Sequence, residues 1–287
     1  MTGNGFPENT RLIIWDVNGV LAPHDAAHFK ATITAIAKLF REEHPSFGDM
    51  KGAISRLREK RRFSLSEFGK AIAEERDMSF DDIQNRFQEL QGSEFITPSP
   101  ELADEIADST VRHAVLSHSG HSWIVGVLDR HNIGHHFKDA VFCVHDMESQ
   151  TKEHIGEKSE SPLPVQRVLE EINAQIVREG GEPITPDQVI MAEDTAKNLE
   201  PAHKMGVHTV LISGKSEKPG FVDQKFGSAL EFISRFNGKE FEPAARSSRA
   251  ETIRAAASSS ARRAASGTAS LAGGVINRIR KESTPAR

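Results

Sequence analysis

Residues 12–21 read LIIWDVNGVL, an apolar run that breaks at Asp16 into a polar turn containing Gly19 and resumes at Val20. An apolar run of this length, followed by turn residues, predicts a buried strand that ends at Asp16. A carboxylate at a strand end is a candidate catalytic group, although an Asp there is also a common turn former. What the rest of the chain places beside Asp16 decides between these two interpretations.

The composition is that of an ordinary globular protein with an unevenly distributed charge. The chain has 287 residues, of which 37% are hydrophobic and 27% charged, with a formal net charge of −5. This length accommodates one sizeable core and a smaller second domain, and the proportions exclude a fibrous or wholly disordered chain. Residues 244–287 contain nine Lys or Arg and two acids, so this tail is basic and the rest is acidic.

The chain has no candidate membrane span and no disulfide framework. No apolar stretch approaches the roughly 20 residues needed to cross a bilayer, and the first residues, MTGNGFPENT, lack the pattern of a secretory signal. We therefore expect a cytoplasmic protein. Cys143 is the single cysteine and lies in an apolar run, so we expect it to pack as a small hydrophobe.

A helical segment follows the first strand. Apolar residues recur at helical spacing in 25–43, 49–62, 65–76 and 79–91, with Phe29, Ile33, Ala37 and Phe40 on one predicted face. Ser79 and Asp82 have the spacing of a capping box at the start of the last of these helices. Residues 22–96 are thus predicted to form a small domain of about four helices.

From Thr97 onward, helices alternate with short β-rich runs. The predicted strands are 12–15, 113–117, 140–144, 188–192 and 207–212, and the predicted helices are 99–109, 121–131, 163–178, 195–205 and 228–236. This alternation predicts an α/β fold with a doubly wound parallel sheet, formed by residues 1–21 and 97–236 around the inserted helical domain. Residues 237–287 are rich in Ala, Ser and Arg and are predicted to be disordered.

The basic tail has two interpretations. The stretch SLAGGVINRIRK (270–281) has the composition of a short basic helix that contacts a partner or an anionic surface. Two glycines and the lack of large apolar residues favour a solvated tail instead. An anionic partner for the tail therefore remains an open alternative.

Polar residues follow the predicted strands, where ligands bind in open α/β sheets. They are Asp16 to Gly19 after the first strand, Ser117 to Gly120 after the second, Lys158 or Lys152 after the third, and Glu193 with Asp194 after the fourth. Carboxylates suit a divalent cation, while a hydroxyl, backbone N–H groups and an ammonium neutralise phosphoryl oxygens. The pattern predicts a site for a small phosphorylated metabolite and a divalent cation.

Three of these stretches resemble motifs of the haloacid dehalogenase-like superfamily. LIIWDVNGVL is similar to its first motif, an apolar strand followed by Asp-x-Asp-Gly; VLSHSG (115–120) is similar to the second, and VIMAEDTAKNLEPAHKMGVHTVLI (189–212) to the fourth. The resemblance covers residues 11–235. It implies an α/β core with a helical C1 cap. The residues of the fourth motif are most similar to those of the pyrimidine 5′-nucleotidase-like branch.

The resemblance also implies a role for each matching residue. Asp16 is implied as the nucleophile, and Mg²⁺ would be bound by Asp16, the backbone carbonyl of Asn18 and Asp194. The remaining implied positions are Ser117 and His118 for substrate binding, Lys158 for catalysis and phosphate binding, and Glu193 and Asn198 beside the metal without binding it directly. Lys158 is preferred to Lys152 because it lies nearer to the start of the following helix.

Asn18 departs from the family pattern, in which a second Asp protonates the leaving oxygen and then activates water. An amide does neither at neutral pH. The first interpretation is a weakened phosphohydrolase that acts on easy leaving groups or uses another acid, such as His24 or a residue of the cap, with nucleoside monophosphates among its candidate substrates. The second is a pseudo-phosphatase that binds a phosphorylated ligand or protein. The third is a dehalogenase-like chemistry, which the retained Glu193 and Asp194 disfavour.

Two further groups of residues have an ordinary explanation. His131, His135 and His136 lie in a predicted helix-to-strand loop without a cysteine or carboxylate at ligand spacing, which disfavours a zinc site. Trp15 and Trp123 are predicted to pack in the core.

Overall fold

The computed structural model describes part of the chain, all of it within the first of two units, Met1–Phe241 and Glu242–Arg287. The described residues are 5–24, 28, 31–32, 34–35, 38–39, 79–151, 154–214 and 217–241. Outside them lie the predicted helices at 49–62 and 65–76, the apolar face of Phe29, Ile33, Ala37 and Phe40, Lys152, and the tail beyond residue 241.

A parallel sheet forms the centre of the described structure. Its six strands are β1 (Leu12–Trp15), β2 (Arg112–Ser117), β3 (Val141–Cys143), β4 (Val189–Glu193), β5 (His208–Ile212) and β6 (Gln224–Phe226). Their order is β3-β2-β1-β4-β5-β6, and every neighbouring pair is parallel. The predicted doubly wound α/β fold is confirmed, and β1 lies between β2 and β4 as the LIIW run requires.

Helices connect the strands. The described helices are α1 (Phe80–Gln91), α2 (Pro100–Asp108), α3 (His121–Arg130), α4 (Gly134–Phe137), α5 (Val144–Thr151), α6 (Leu163–Arg178), α7 (Ala196–Lys204) and α8 (Ala229–Phe236), with a 3-10 turn at Pro186–Gln188. The helices expected at 99–109, 121–131, 163–178, 195–205 and 228–236 are confirmed to within a residue at each end. Helices α4 and α5 were not predicted.

Strand β6 was also missed by the sequence analysis. Its residues, QKF, are half-buried and include two polar side chains, so they form no apolar run. The strand pairs with β5 at the edge of the sheet. Edge strands of this length carry little of the alternating or continuous apolar signal on which strand prediction depends.

The core consists of two apolar layers, one on each face of the sheet. Ile13 and Trp15 of β1 belong to the layer that contains Trp123 and Phe232, whereas Leu12 and Ile14 belong to the opposite layer. Cys143 is buried in the first layer, and burial raises the pKa of its thiol to about 11. The prediction that Cys143 packs as a small hydrophobe is confirmed.

The described part of the inserted segment is helical. The described residues between 28 and 39 are helical, and α1 follows. Ser79 accepts the backbone N–H of Asp82 at 3.1 Å and donates its hydroxyl to the Asp82 carboxylate at 2.7 Å, so the Ser79 half of the predicted capping box is present. Gln91 donates to Thr32 Oγ1 at 3.1 Å and ties α1 to the earlier helical residues.

His131 binds both ends of the inserted segment. Its Nε2 lies 2.9 Å from the carbonyl oxygen of Leu21, and its Nδ1 accepts the N–H of Ser99 at 3.1 Å. An imidazole that donates through Nε2 and accepts through Nδ1 is neutral, and burial lowers the pKa of His131 accordingly. His131 therefore hydrogen-bonds to the chain just before and just after the inserted segment.

Ordered contacts continue past the end of α8. Asn237 donates to the carbonyl of Glu105 at 2.8 Å, and the Lys239 ammonium lies 2.7 Å from Asp108 and 3.1 Å from Glu105. These contacts anchor residues 237–239 to α2. Within the described parts of the chain, no helix has both the length and the apolar character needed to span a membrane.

Candidate functional site

The candidate site lies where the central strands end. Because β2, β1 and β4 are adjacent and parallel, their carboxyl ends bring Ser117, Asp16 and Glu193 to one edge of the sheet. Asp16 continues the register, since its N–H donates to the carbonyl of Ala192 in β4 at 2.9 Å. The strand-end residues predicted from the sequence thus converge through the topology of the sheet.

Lys158 lies at the centre of this convergence. Its ammonium is 2.6 Å from Asp16 Oδ1 and 2.8 Å from Glu193 Oε1, and it donates to the carbonyl of Leu116 at 3.3 Å. The side chain is 2% exposed. Burial alone would lower the pKa of Lys158, but the attraction of the two carboxylates outweighs it and holds the pKa above its ordinary value. Lys158 is therefore the fixed positive charge of the site.

Burial raises the pKa of a carboxyl group, which is the opposite of its effect on Lys158. Burial raises the pKa of Asp16, an effect that the Lys158 charge offsets in part. Burial likewise raises the pKa of Glu193 to about 7, again against the pull of Lys158. Asp194 is more exposed; burial would raise its pKa, but hydrogen bonds, foremost from His24, bring it below the ordinary value. Burial thus disfavours the ionised forms of Asp16 and Glu193, whereas hydrogen bonds favour the ionised form of Asp194.

Glu193 accepts hydrogen bonds from three groups of the protein. Its Oε2 accepts the N–H of Thr195 at 2.7 Å, and its Oε1 accepts the side-chain amide of Asn198 at 2.6 Å as well as the Lys158 ammonium. Glu193 and Asn198 together hold the start of α7 against the strand ends. The geometry favours a supporting function for both residues, next to the reacting groups.

The acidic residues could hold a hard cation. Oxygen atoms of Asp16, Glu193 and Asp194 lie within 4.8 Å of one another, the one such group among the described residues. Carboxylate oxygens are the ligands that Mg²⁺ prefers in proteins. Because Glu193 already binds Lys158, Thr195 and Asn198, Asp16 and Asp194 fit a cation best.

Asn18 is held by two neighbours that the sequence analysis did not identify. Its Nδ2 donates to Ser119 Oγ at 2.8 Å, and Trp123 donates its indole N–H to Asn18 Oδ1 at 3.0 Å. Trp123 packs in the core as predicted, but it also has this polar contact with the candidate site. The sequence shows that Trp123 lies three residues after Gly120, but it does not indicate the hydrogen bond to Asn18.

Ser117 and His118 follow β2. Ser117 is buried, and its Oγ accepts the N–H of Ser119 at 3.2 Å. Gly120 is the N-cap of α3, so Ser117 lies between the end of β2 and the helix without capping it. His118 Nε2 lies 3.1 Å from a carboxylate oxygen of Glu157, yet burial, with help from the Lys158 charge, lowers the pKa of His118 to about 3. His118 is therefore a neutral imidazole at pH 7.

A tight loop carries Asn18 and closes against Asp194. The Ala22 N–H donates to the carbonyl of Val17 at 2.7 Å, and the Gly19 N–H donates to the carbonyl of Ala22 at 2.8 Å. Gly19 has a φ of +81°, and a Cβ there would lie 2.1 Å from Asp194 Oδ2. Only glycine allows both this backbone conformation and this approach.

His24 borders the site on its exposed side. Its Nε2 lies 3.4 Å from Asp194 Oδ2, and its side chain is 60% exposed. The hydrogen bond to Asp194 raises the pKa of His24 above its ordinary value, against the effect of burial. Its ring lies 5.0 Å from that of His28, which in turn lies 5.9 Å from Trp123. His24 is thus in direct contact with the acidic group.

Solved structures share this architecture. A protein assigned as a β-phosphoglucomutase from Thermotoga maritima matches at a TM-score of 0.50 and 15% identity, over 80% of this chain and 99% of that one. A HAD phosphatase from Thermococcus onnurineus matches at 0.49 and 16% identity, over 81% and 100% of the two chains. L-2-haloacid dehalogenase from Xanthobacter autotrophicus matches at 0.48 and 14% identity, over 80% and 100%.

These similarities concern the fold. The chain has the Rossmann-like fold of haloacid dehalogenase-like hydrolases, with an all-parallel six-stranded sheet. No protein-family model and no curated protein sequence matches the chain. The shared fold is compatible with several chemistries, so the function has to be inferred from the site.

Proposed function

We propose that this protein is a hydrolase of the haloacid dehalogenase-like superfamily that removes the phosphoryl group from a small phosphomonoester, with Asp16 as nucleophile. The observation that carries the proposal is the buried contact of Lys158 with both Asp16 and Glu193 at the strand ends. Burying an ammonium with two carboxylates carries a desolvation cost, and titratable groups perturbed in this way concentrate at functional sites.

The residues divide the reaction between them. A carboxylate oxygen of Asp16 attacks phosphorus, the bond from phosphorus to the leaving oxygen breaks, and the leaving oxygen takes the electron pair. Water then attacks the phosphoryl group on Asp16, returns the carboxylate and releases inorganic phosphate. Lys158 neutralises negative charge that develops at the phosphoryl oxygens, and Ser117 binds one of them.

A divalent cation fits beside Asp16. Asp16 and Asp194, with the backbone carbonyl of Asn18 as the third predicted ligand, would hold Mg²⁺. Bound there, the ion would supply charge neutralisation at the phosphoryl oxygens and favour the ionised form of Asp16. The protein's own contribution is to hold these carboxylates at strand ends, so that they need no rearrangement during the reaction.

A second candidate function is a pseudo-phosphatase that binds a phosphorylated ligand without turning it over. The observation that favours it is the fixed amide of Asn18, which provides neither an acid nor a base. The hydrolase remains the better proposal because general acid–base help is worth about 10²–10⁴ in rate, and the electrostatic groups persist without it.

The test is a Mg²⁺-dependent screen of phosphomonoesters that includes nucleoside monophosphates, as the proposed likeness to the nucleotidase branch suggests. We expect low turnover by the wild type, none by Asp16→Asn and a gain in Asn18→Asp. Asp104→Asn, an exposed change on α2, is the matched control and is expected to behave as wild type. Equal rates in all four proteins would exclude the hydrolase, and Mg²⁺-dependent binding without turnover would favour the pseudo-phosphatase.

A further inference from the structure

We propose that Asn18 restricts this site to phosphoryl donors whose leaving group departs as a stable anion, above all acyl phosphates, and that the phosphoryl group then persists on Asp16. The inference rests on the proposed function, because it requires Asp16 to be the nucleophile. It goes further in naming the substrate class and in predicting that the second half of the reaction, not the first, limits turnover.

The amide of Asn18 is fixed in one orientation. An indole N–H is only a donor, so the Asn18 atom that faces Trp123 at 3.0 Å has to be the oxygen, and the amide nitrogen faces Ser119 Oγ at 2.8 Å. Trp123 and Ser119 are both buried, which holds the pair in place. A flip of the amide would set two donors against each other. Asn18 therefore contributes hydrogen bonds to the fold and no proton to the substrate.

The other groups near Asp16 are poorly suited to replace the missing acid. Lys158 is held by Asp16, Glu193 and the Leu116 carbonyl, and its charge is needed there. Glu193 accepts from Lys158, Asn198 and the Thr195 N–H, and these three donors hold it at the start of α7. The imidazole of His118 is neutral at pH 7, with a pKa of about 3. Among the described side chains, His24 is the remaining candidate, and the test has to separate it from the absence of any acid.

The first half of the reaction has a route that needs no acid. When Asp16 attacks the phosphorus of an acyl phosphate, the bond from phosphorus to the acyl oxygen breaks and a carboxylate leaves with the electron pair. A carboxylic acid has an ordinary pKa of about 4, so this anion needs no proton at pH 7. A sugar or alkyl oxygen would leave as a strongly basic alkoxide, and its departure forfeits the factor of about 10²–10⁴ that a general acid supplies.

Among the described residues, the second half has no such route apart from His24. Water has to lose a proton as its oxygen bonds to the phosphorus on Asp16, and an amide at position 18 cannot accept that proton. The same factor of about 10²–10⁴ is lost here whatever the donor was. Phosphorylation by an acyl phosphate is thus fast relative to hydrolysis, and phosphoaspartate accumulates.

The first experiment mixes the protein with acetyl phosphate and Mg²⁺ and follows intact mass, with the modified peptide mapped. We expect one phosphoryl group on Asp16 of the wild type that decays slowly, none on Asp16→Asn, and a short-lived adduct at most on Asn18→Asp. The Asp104→Asn control should accumulate the adduct like the wild type. A wild type that turns over acetyl phosphate without detectable adduct would overturn the inference.

The second experiment measures the rate of phosphorylation with aryl phosphates whose phenols span a range of pKa values. We expect the wild-type rate to fall steeply as the phenol becomes a poorer leaving group. Asn18→Asp should show a shallower slope, with the gap widening toward about 10²–10⁴-fold for the poorest leaving group. A shallow slope in the wild type that becomes steep in His24→Gln would overturn the inference and identify His24 as the acid.

The outcomes also distinguish this inference from the proposed function. Rapid release of phosphate from alkyl phosphomonoesters by the wild type, lost in Asp16→Asn, would overturn the inference and leave the phosphohydrolase standing. Neither adduct nor phosphate release from any donor, in the wild type and in Asn18→Asp, would overturn both.

Discussion

Trp123 donates its indole N–H to Asn18 Oδ1 across 3.0 Å and so joins helix α3 to the loop that follows β1. The atom of Asn18 in this contact is an oxygen, and an Asp at position 18 would present the same oxygen in the same place. The second oxygen of an Asp would face Ser119 Oγ, whose hydroxyl rotates to donate instead of accepting. An Asp side chain therefore fits at position 18 with both hydrogen bonds retained.

Stability measurements on position 18 test this relationship. Asn18→Ala leaves the buried indole N–H of Trp123 without its acceptor and should lower the free energy of unfolding by about 1–3 kcal/mol. Asn18→Asp keeps both contacts and should cost less. Urea denaturation followed by tryptophan fluorescence measures both values, and an equal cost for the two variants would contradict the assigned hydrogen bonds.

The central fold was predictable because its signals are local. LIIW and VIMA are continuous apolar runs of the kind that only strands buried on both faces need, and they are β1 and most of β4. The three residues of β6 carry no such run, because an edge strand is half exposed. Helix α5 was missed because β3 ends at Cys143 and the helix begins at once, so that its first residue was assigned to the strand.

The site was predictable as far as strand ends determine it. Asp16, Glu193 and Asp194 follow strands that the topology makes neighbours, and the resemblance indicated Lys158. The engagement of Asn18 was not predictable, because Trp123 lies about a hundred residues later in the chain and its spacing on α3 is that of a core residue. Side-chain orientation depends on packing that no local pattern records.

A divalent cation should stabilise the folded protein through Asp194. At a Mg²⁺ concentration one hundred times the dissociation constant, the expected gain is about 2.7 kcal/mol, seen as a rise in the thermal unfolding midpoint. Asp194→Asn should abolish this rise. Glu171→Gln, an exposed change on α6, should keep it. If Mg²⁺ shifts the midpoint of Asp194→Asn as much as that of the wild type, the cation binds elsewhere.

Gly19 should also be required for stabilisation by Mg²⁺, although it is not a predicted ligand. A Cβ at Gly19 would lie 2.1 Å from Asp194 Oδ2 and 2.4 Å from its Cγ, so Gly19→Ala has to displace that carboxylate. We expect the variant to be destabilised and to lose most of the Mg²⁺-dependent rise in the unfolding midpoint. Gly220→Ala, where a Cβ meets open space, is the matched control. An unchanged response of Gly19→Ala to Mg²⁺ would argue against the close approach of the loop to Asp194.

Glu148 should position Lys158 from a distance. Its Oε1 accepts the N–H groups of Ile155 at 2.8 Å and Gly156 at 2.9 Å, which shapes the turn just before Lys158. Glu148→Ala removes both acceptor contacts, each worth about 1.5–3 kcal/mol to a charged group, and should lower kcat along with stability. Glu148→Gln retains an acceptor oxygen and should recover much of both.

The control for Glu148 is Glu160→Ala, an exposed change in the same connection. It should leave kcat and the unfolding midpoint near wild-type values. If Glu148→Gln loses as much activity as Glu148→Ala, the turn depends on the charge of Glu148 and not on its hydrogen-bonding geometry.

Acid should destabilise the protein through His113. His113 accepts the indole N–H of Trp15 at 3.1 Å, and burial, with a smaller contribution from His136, lowers the pKa of His113 to about 4. The unfolded chain takes up this proton near pH 6.5 and the folded chain does not, so stability is fully present above pH 6.5 and is lost as the pH falls toward 4. Between pH 7 and pH 5 the loss attributable to His113 is about 2 kcal/mol.

His113→Gln can still accept from Trp15 but cannot take up a proton, so its free energy of unfolding should fall less over this interval. The exposed change His121→Gln should follow the wild type. Urea denaturation at the two pH values measures the difference, and parallel losses in wild type and His113→Gln would assign the acid sensitivity to other groups.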